Sequence, residues 1–489
     1  MHIGSKAYSR LKQLYPVHDH KLGDKWETVR PKIRDVLDEH QVRFSSIDLV
    51  RFRTVPDQQT PAVIRPVVIW IGVLTGSLAG EDAFNSANAI LALLEEEEIT
   101  GVDVEFRESV FRRSAGAELY GPASDVNAIR HVIDPLTTTL GLPIAAARTP
   151  HVQGTMGFYF KDGEDLYGVT ARHVLFPEDQ PNCEYTNYSS EPRKEVLLMG
   201  TEAWANYLKS VQIQIGIFGI NAKKYWQWIE RLEGTVDPAA KKDLGKFRKL
   251  LEEATNAMDK LQKLYEQTKK DFGKPSQRVI GHVVWSPAIT VGTAPRDFTK
   301  DICVVKLDKA KFLPNFRGNV IDLGTEIEPG DFIRKLHPRT DAEPGFEYPA
   351  ERLLELRDIL TEGSMLHPNT KNHDGEHCLY VIKRSLTTLT TIGHATGSYS
   401  CVREYLPNQT PRDSIEWAIL PYGHRSGPFS EKGDSGSIIA SGTGEFGGLL
   451  TGGSGRTELP DITYATPMFW LWPIIKTRFP NAKLDPVLN

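Results

Sequence analysis

The segment Gly433-Asp434-Ser435-Gly436 constrains this chain more than any other stretch of its sequence. A serine hydroxyl is a weak nucleophile unless a base lies beside it and hydrogen-bond donors await the developing oxyanion. A tight turn flanked by glycines can help with both, because the N–H groups of Gly433 and Ser435 can point into one hollow. The apolar residues 438–440 predict a buried strand directly after the turn. The segment therefore predicts a serine presented on a sharp turn at the head of a strand.

A candidate base lies upstream of this turn. His173 follows the apolar, β-branched run 167–170 and a small-residue turn, so it is predicted at the end of a strand. Taken alone, a histidine in this setting is more often a buried structural residue than a catalyst. His173 gains significance only if an acid and a serine accompany it in the right order.

The candidate acid is Asp301, which stands at the head of the apolar run 302–307. Asp297 is its rival, but a mixed Phe-Thr-Lys sequence follows that residue rather than an unbroken apolar strand, so Asp301 is preferred. The chain order His173, Asp301, Ser435 is one of the orders in which Ser–His–Asp triads occur. Each residue has a structural reading by itself, and the joint occurrence is what indicates a catalytic triad.

These motifs resemble those of the chymotrypsin/trypsin-like superfamily of serine peptidases. The resemblance covers roughly residues 150–185 and 275–480. It is carried by Thr170-Ala171-x-His173, Asp301-Ile302-x-Val304-Val305-x-Leu307, Gly433-Asp434-Ser435-Gly436, Gly447–Gly453, Ile462–Pro467 and Met468–Arg478. The stretch Leu379–Gly393 is similar to a strand pair of microbial and fungal members, with Ser385 and Leu389 in place of two glycines. This last feature suggests a fungal intracellular branch.

The resemblance implies a fold of two antiparallel β-barrels and a role for each motif residue. Ser435 would be the nucleophile, His173 the base and Asp301 the residue that orients it, while the N–H groups of Gly433 and Ser435 would bind the oxyanion. The substrate pocket implied by the resemblance is formed by Phe429, Gly452, Gly453 and Tyr464. Phe429 would lie at its base, where no carboxylate is present, so an apolar or small residue is expected before the cut. Asp461 is the nearby acid that could change this preference.

The resemblance also raises the question of activation. Many members free a new N-terminus that pairs with the acid before the serine, which is Asp434 in this chain. No cleavage signal of that kind precedes Thr155. Because a buried, unpaired carboxylate is costly, Asp434 needs another partner if it is buried. We therefore expect activity without proteolytic maturation, controlled by a helical hairpin or by an N-terminal domain.

The hydrophobic pattern predicts a mainly β protein with these two additions. Residues 1–142 are expected to form an N-terminal α+β domain, in which Pro66–Leu74, Glu81–Glu98 and Val102–Val110 read as strand, helix and strand. Residues 143–200 and 275–489 would form the double-barrel domain.

Residues 201–274 are predicted to form an inserted, coiled-coil-like helical hairpin. Two apolar seams with alternating steps of four and three are separated by a Gly/Pro turn at 234–238. Two helices packed flat on a barrel are the alternative. The hairpin is a candidate surface for a protein partner or for self-association.

Composition limits the other classes of partner. The net charge is −5 with acids and bases interleaved, so neither nucleic acid nor an anionic membrane is an expected partner. No apolar stretch is long enough to span a bilayer, and the first ten residues lack a signal-peptide core. The four cysteines, in a superfamily whose secreted members are commonly rich in disulfides, favour a reducing, cytoplasmic location. The His373–Cys378 cluster has no second ligand group, so no metal or cofactor is expected.

The sequence therefore predicts a serine endopeptidase that cuts protein or peptide substrates through an acyl-enzyme. The alternative is a non-catalytic, protease-like binding or scaffold protein that acts through the hairpin and the N-terminal domain.

Overall fold

A computed structural model gives the fold of residues 12–54, 64–74, 76–113, 128–176, 180–188, 193–312, 315–339, 346–349, 351–405, 411–455 and 461–484. Within these residues the chain is mainly β, as predicted, with sheets of thirteen, eight and two strands. Over the same described residues, ten α-helices accompany the strands, and most are short. No helix in this part of the chain is long and apolar enough to cross a membrane.

The elements are numbered in chain order. The strands are β1 Lys12–Tyr15, β2 Phe44–Thr54, β3 Ile64–Val73, β4 Val102–Glu108, β5 Val110–Arg113, β6 Leu142–Ala146, β7 Thr149–Met156, β8 Phe158–Asp162, β9 Asp165–Thr170, β10 Tyr185–Thr186, β11 Glu195–Leu198, β12 Val279–Ser286, β13 Thr290–Thr293, β14 Phe298–Lys300, β15 Cys303–Leu307, β16 Val320–Asp322, β17 Leu353–Glu355, β18 Leu379–Arg384, β19 Thr390–Glu404, β20 Arg412–Pro421, β21 Ile438–Ser441, β22 Phe446–Gly455 and β23 Ile462–Pro467. The helices are α1 Lys21–Asp24, α2 Trp26–Glu39, α3 Gly80–Glu96, α4 Arg172–Leu175, α5 Thr201–Leu232, α6 Pro238–Phe272, α7 Lys309–Phe312, α8 Pro329–Leu336, α9 Glu362–Leu366 and α10 Met468–Arg478.

The eight-stranded sheet has the order β7-β6-β11-β12-β15-β9-β8, with β10 paired to β12. Strands β9 and β15 are antiparallel, and Cys303 faces Thr170 in their register. The start of β15 and the end of β9 therefore lie side by side, at the same end of the two strands. Asp301 lies just before β15 and His173 just after β9.

In the thirteen-stranded sheet, eleven strands have the order β13-β14-β20-β23-β22-β21-β18-β19-β2-β3-β4, while β1 pairs with β2 and β5 pairs with β22. Strand β2 pairs with β19 through Cys401↔Ile47 and Val402↔Ser46. Strands from the first 142 residues and strands from the C-terminal part of the chain therefore belong to one hydrogen-bonded sheet. The two large sheets meet through apolar contacts such as that of Phe158 in β8 with Phe446 in β22, and Trp472 of α10 also contacts Phe158.

The strand–helix–strand pattern near the N-terminus is present as β3, α3 and β4. Strands β3 and β4 are parallel, with Val67 facing Val102, which requires a crossover such as α3. Ile90 and Leu94 of α3 are buried, one turn apart on one face of the helix.

The inserted region 201–274 contains the two longest helices, α5 and α6. Tyr265 lies against Gln212 and Phe247 against Trp228, so the helices run antiparallel. All 32 residues of α5 are described, and the buried ones are confined to its first third: Ala203, Trp204, Tyr207 and Val211. Beyond Val211 the helix contacts α6 with one face and leaves the opposite face exposed.

All four cysteines are free thiols, and Cys303 and Cys401 are buried in β15 and β19. This is the arrangement expected of reduced cysteines that act as small apolar residues. Burial raises the pKa of each of these two thiols to about 12, so both stay protonated at neutral pH.

Candidate functional site

His173 and Asp301 form a buried, doubly connected pair. The carboxylate oxygen Oδ2 of Asp301 lies 2.6 Å from Nδ1 of His173, and Oδ1 accepts a hydrogen bond from the backbone N–H of His173 at 3.1 Å. The register of β9 with β15 brings the two residues together, and α4 begins at Arg172, directly before the histidine. The two contacts fix both the position and the orientation of the imidazole. Asp301, and not the rival Asp297, is the acid bonded to His173.

The loop that carries Ser435 is bound to the eight-stranded sheet beside this pair. The backbone N–H of Thr155 donates to the carbonyl of Ser435 at 2.9 Å, and the Thr155 hydroxyl donates to the carbonyl of Gly433 at 2.8 Å. A Cβ atom on Gly436 would lie 3.0 Å from the backbone nitrogen of Ala171, two residues before His173. The loop and the histidine-bearing turn therefore pack directly against each other.

Two glycines in this loop have backbone conformations that other residues rarely adopt. Gly433 has φ +103° and Gly436 has φ +86°. A Cβ atom at Gly436 would also come within 2.4 Å of the carbonyl oxygen of Thr155. Glycine is therefore required at Gly436 both by conformation and by the close approach of another backbone.

The Asp434 carboxylate is buried and forms an ion pair with Lys383 of β18. Neither side chain is exposed to solvent, and Nζ of Lys383 lies 3.0 Å from Oδ2 of Asp434. The same oxygen accepts hydrogen bonds from the Thr388 hydroxyl at 2.8 Å and from the backbone N–H of Glu431 at 2.9 Å. Burial lowers the pKa of Lys383, and the Asp434 carboxylate opposes that shift. The pair ties the loop to the β18–β19 hairpin.

Lys383 was not singled out from the sequence, although a signal was available. It directly follows the apolar run Leu379–Ile382, and a lysine inside a buried strand needs a carboxylate nearby. Arg172 was also missed. Its guanidinium is buried and donates to the carbonyls of Ser286 and Cys183 at 2.9 and 2.7 Å, which anchors the turn that presents His173. A sequence pattern that reveals this role of Arg172 is not evident.

Among the predicted pocket residues, Phe429 is buried beneath the loop. Nζ of Lys383 lies 5.6 Å from the centre of the Phe429 ring. The backbone carbonyl of Phe429 accepts a hydrogen bond from the Thr391 hydroxyl at 2.8 Å. Gly452 and Gly453 lie in β22, between β23 on one edge and β5 on the other.

Tyr464, the fourth predicted pocket residue, is buried in β23. Its hydroxyl donates to Asp48 at 2.8 Å and contacts the Ser454 hydroxyl at 3.0 Å. The neighbouring acid Asp461 accepts from Arg107 at 3.0 Å, and Arg107 also binds Asp48 at 3.2 Å. Two N-terminal strands, β2 with Asp48 and β4 with Arg107, thus contribute charged groups to the hydrogen-bond network around Tyr464.

Comparison of the chain with protein-family models and with curated proteins finds no match. Any functional assignment therefore depends on the geometry of the site and on the motif resemblance.

Proposed function

We propose that the chain is a serine endopeptidase of the chymotrypsin/trypsin-like type, in which the two large sheets correspond to the two barrels. The observation that carries this proposal is the His173–Asp301 pair, joined by both carboxylate oxygens and packed against the loop that bears Ser435. A histidine held by a carboxylate at Nδ1 presents Nε2 as the base, which is the arrangement that activates a serine nucleophile.

In the proposed mechanism Ser435 attacks the carbonyl carbon of the scissile peptide bond. His173 takes the hydroxyl proton and returns it to the leaving amine, while Asp301 stabilises the imidazolium that forms between these steps. The backbone N–H groups of Gly433 and Ser435 receive the oxyanion. The left-handed conformation of Gly433 supports this role, because it turns the peptide plane that carries the Gly433 N–H relative to the plane that follows it.

The Lys383–Asp434 pair supports the expectation that no new N-terminus has to be released. Asp434 stands between the two residues that provide the oxyanion donors, so its side chain helps to set their orientation. In this proposal Lys383 supplies the positive charge for which other members use a cleaved N-terminus, and the full-length chain needs no cleavage to form its oxyanion hole.

For specificity we propose an apolar or small residue before the cut. The predicted base of the pocket, Phe429, carries no charge. The nearest acid of the predicted walls, Asp461, is neutralised by Arg107 at 3.0 Å. Strong selectivity for lysine or arginine would contradict this part of the proposal.

The endopeptidase proposal is tested by assaying wild-type protein and Ser435→Ala against a broad peptide library. We expect the substitution to lower the rate by a factor on the order of 10⁴–10⁶, with an unchanged unfolding transition. Equal hydrolysis by the two proteins would contradict the proposal, and so would the absence of hydrolysis in variants in which the site has been opened.

A second candidate function, partner binding through the hairpin, has its own supporting observation. Ile213, Ile217 and Ile220 are 50%, 44% and 70% exposed, and their spacing places them on one face of α5. We propose self-association through this face. Sedimentation of wild-type protein and Ile217→Asp/Ile220→Asp tests it: the wild type should form a dimer that the variant does not, and a monomeric wild type would rule it out.

A further inference from the structure

Strand β22 extends beyond the point where it is hydrogen-bonded to the nucleophile loop. Strand β23 pairs with residues 448–454 of β22 and so occupies one edge of it. The opposite edge pairs first with β21, up to Ile438↔Leu449. It then bonds to the nucleophile loop, where the N–H of Gly436 donates to the carbonyl of Leu450 at 2.8 Å. After Leu450, this edge leads away from Ser435 and offers backbone groups to a further strand.

Strand β5 occupies this part of the edge. Its register with β22 is antiparallel, from Gly455↔Val110 to Gly452↔Arg113. Because of this direction, β5 runs toward Ser435 and its last residue is the one nearest the nucleophile. An extended peptide that approached Ser435 along β22 would have to form the same backbone pairs. One edge of a strand can pair with only one other strand at a time.

We infer that β5 is a self-inhibitory strand. It pairs with residues Gly452–Gly455 of β22, and an extended peptide substrate cannot pair with these residues until β5 is displaced. The inference rests on the proposed function for what it inhibits, but the occupancy of the edge can be tested without catalysis. The ligand that would replace β5 is an extended polypeptide bound through its backbone as an added strand.

The connections of β5 favour this role. A single residue, Ser109, separates β5 from β4, and its N–H donates to the carbonyl of Val73 at 2.8 Å while its carbonyl accepts from the Ser45 hydroxyl at 2.8 Å. The Arg107 side chain donates to the Ser454 hydroxyl of β22 at 2.9 Å. The strand is thus held next to the edge on a very short tether, which gives it a high effective concentration against any free peptide.

The burial of the proposed catalytic residues agrees with a closed site. Ser435 is 0% exposed and His173 is 5% exposed. A substrate carbonyl needs access to the serine hydroxyl, and a fully buried Ser435 does not offer that access. Some part of the protein therefore has to move before Ser435 can react, and displacement of β5 would open the edge that leads to it.

The test uses backbone-specific variants of the full-length chain. Successive N–H groups of a strand point to opposite sides, so one of the two N–H groups of Phe111 and Arg112 faces β22. The variant Phe111→Pro/Arg112→Pro removes both groups, whereas the matched control Phe111→Ala/Arg112→Ala keeps them. The variant Phe111→Gly/Arg112→Gly keeps the N–H groups but weakens the strand, and it serves if the proline variant does not fold.

The probe is a fluorescein-labelled synthetic peptide with the sequence of residues 106–113, bound to each protein in a Ser435→Ala background and followed by anisotropy. We expect the proline variant to bind the peptide at least about tenfold more tightly than the parent and the alanine control, with the glycine variant between them. Equal affinities in all four proteins, or equal gains with alanine and proline, would overturn the inference.

Peptide hydrolysis by the same variants with Ser435 restored separates this inference from the proposed function. Tighter binding together with faster hydrolysis supports both. Tighter binding with no hydrolysis in any variant supports the self-inhibitory strand as an occupant of the edge and contradicts the endopeptidase. Equal binding with equal hydrolysis contradicts the strand's role and leaves the endopeptidase standing.

Discussion

The nucleophile loop, residues 431–437, and the helical hairpin formed by α5 and α6 are held in opposite ways. In the loop, Asp434, Ser435 and Ser437 are fully buried, and their contacts come from β7, β18 and β22. In the hairpin, each helix is stabilised mainly by its own backbone bonds and by its partner, and Ile220 is 70% exposed. A change in the backbone or the buried charge of the loop must therefore disturb several parts of the protein at once, whereas a change on the hairpin surface stays local. Substitutions at buried, connected positions should therefore have large effects, and substitutions on the hairpin surface should have small ones.

The largest effect is expected at Asp301. The variant Asp301→Asn keeps the shape of the side chain but removes the charge that holds the histidine in its reactive tautomer. We expect kcat to fall by a factor of about 10⁴, with little change in the unfolding transition. Steady-state kinetics on a cleaved peptide measures the effect. Asp297→Asn is the control and should retain full activity; an equal loss in both variants would contradict the assignment of Asp301.

The next effect concerns the buried ion pair beneath the loop. Lys383→Met leaves the Asp434 carboxylate buried without its cation, which should lower the free energy of unfolding by about 3–5 kcal/mol. It should also lower kcat, because the N–H groups of Gly433 and Ser435 lose their support. Denaturant unfolding and peptide hydrolysis measure the two effects.

The double variant Lys383→Met/Asp434→Asn is the matched control for this pair. It removes both charges, so most of the lost stability should return while the low kcat remains. Recovery of both properties would show that the pair serves stability alone. A single variant as stable as wild type would show that Asp434 does not depend on Lys383.

A smaller effect is expected from pH through His394 of β19. Burial lowers the pKa of His394 to about 4, and its neutral ring is bonded to the Cys378 thiol at 3.2 Å and to the Tyr422 carbonyl at 2.9 Å. His18 and Lys335 lie near it and also oppose its protonation. In the unfolded chain the group titrates near 6.5. Between these values the unfolded state binds more protons, so stability is lost as the pH falls from about 6.5 to about 4.

This loss should reach on the order of 2–3 kcal/mol at the acid end of the window. Denaturant unfolding at several pH values, compared between wild type and His394→Gln, isolates it, because the variant should lose correspondingly less stability on acidification. Parallel pH profiles in the two proteins would contradict the buried, neutral assignment. Hydrogen exchange of the distal hairpin should not follow this titration.

The smallest effect is expected on the exposed face of α5. Ile217 is 44% exposed, so Ile217→Asp removes little buried surface, and the free energy of unfolding of the monomer should change by less than about 0.5 kcal/mol. Val211→Ala, in the buried first third of the same helix, is the comparison and should lower the free energy of unfolding by about 0.5–2 kcal/mol. Thermal unfolding at low protein concentration measures both. A large loss for Ile217→Asp would show that this face is covered within the monomer.

Different parts of the molecule were predictable for different reasons. The strand–helix–strand of β3, α3 and β4 and the long helices α5 and α6 follow from local hydrophobic periodicity, and the structure contains them close to the predicted bounds. The mainly β character follows in the same way. The domain boundaries and the catalytic roles remain predictions.

What the sequence could not supply are the contacts between distant segments. The pairing of β2 with β19 joins residues more than 350 positions apart, and the hydrophobic pattern of either strand does not indicate which strand it pairs with. The choice of Asp301 over Asp297 could be made from the sequence. Asp301 directly precedes an apolar strand, β15, and the start of that strand lies beside the end of its antiparallel neighbour β9, which His173 follows. The placement of Lys383 under Asp434 and of β5 on β22 depends on tertiary packing alone.

The most direct test of the central claim is covalent labelling of the serine by a small fluorophosphonate, in the wild type and in Phe111→Pro/Arg112→Pro. Peptide mapping by mass spectrometry then locates the adduct. We expect one adduct, on Ser435, that forms faster in the proline variant, is absent from Ser435→Ala and is strongly slowed in His173→Ala. Absence of an adduct on Ser435 in both proteins, or labelling no faster than that of other serines, would contradict the claim.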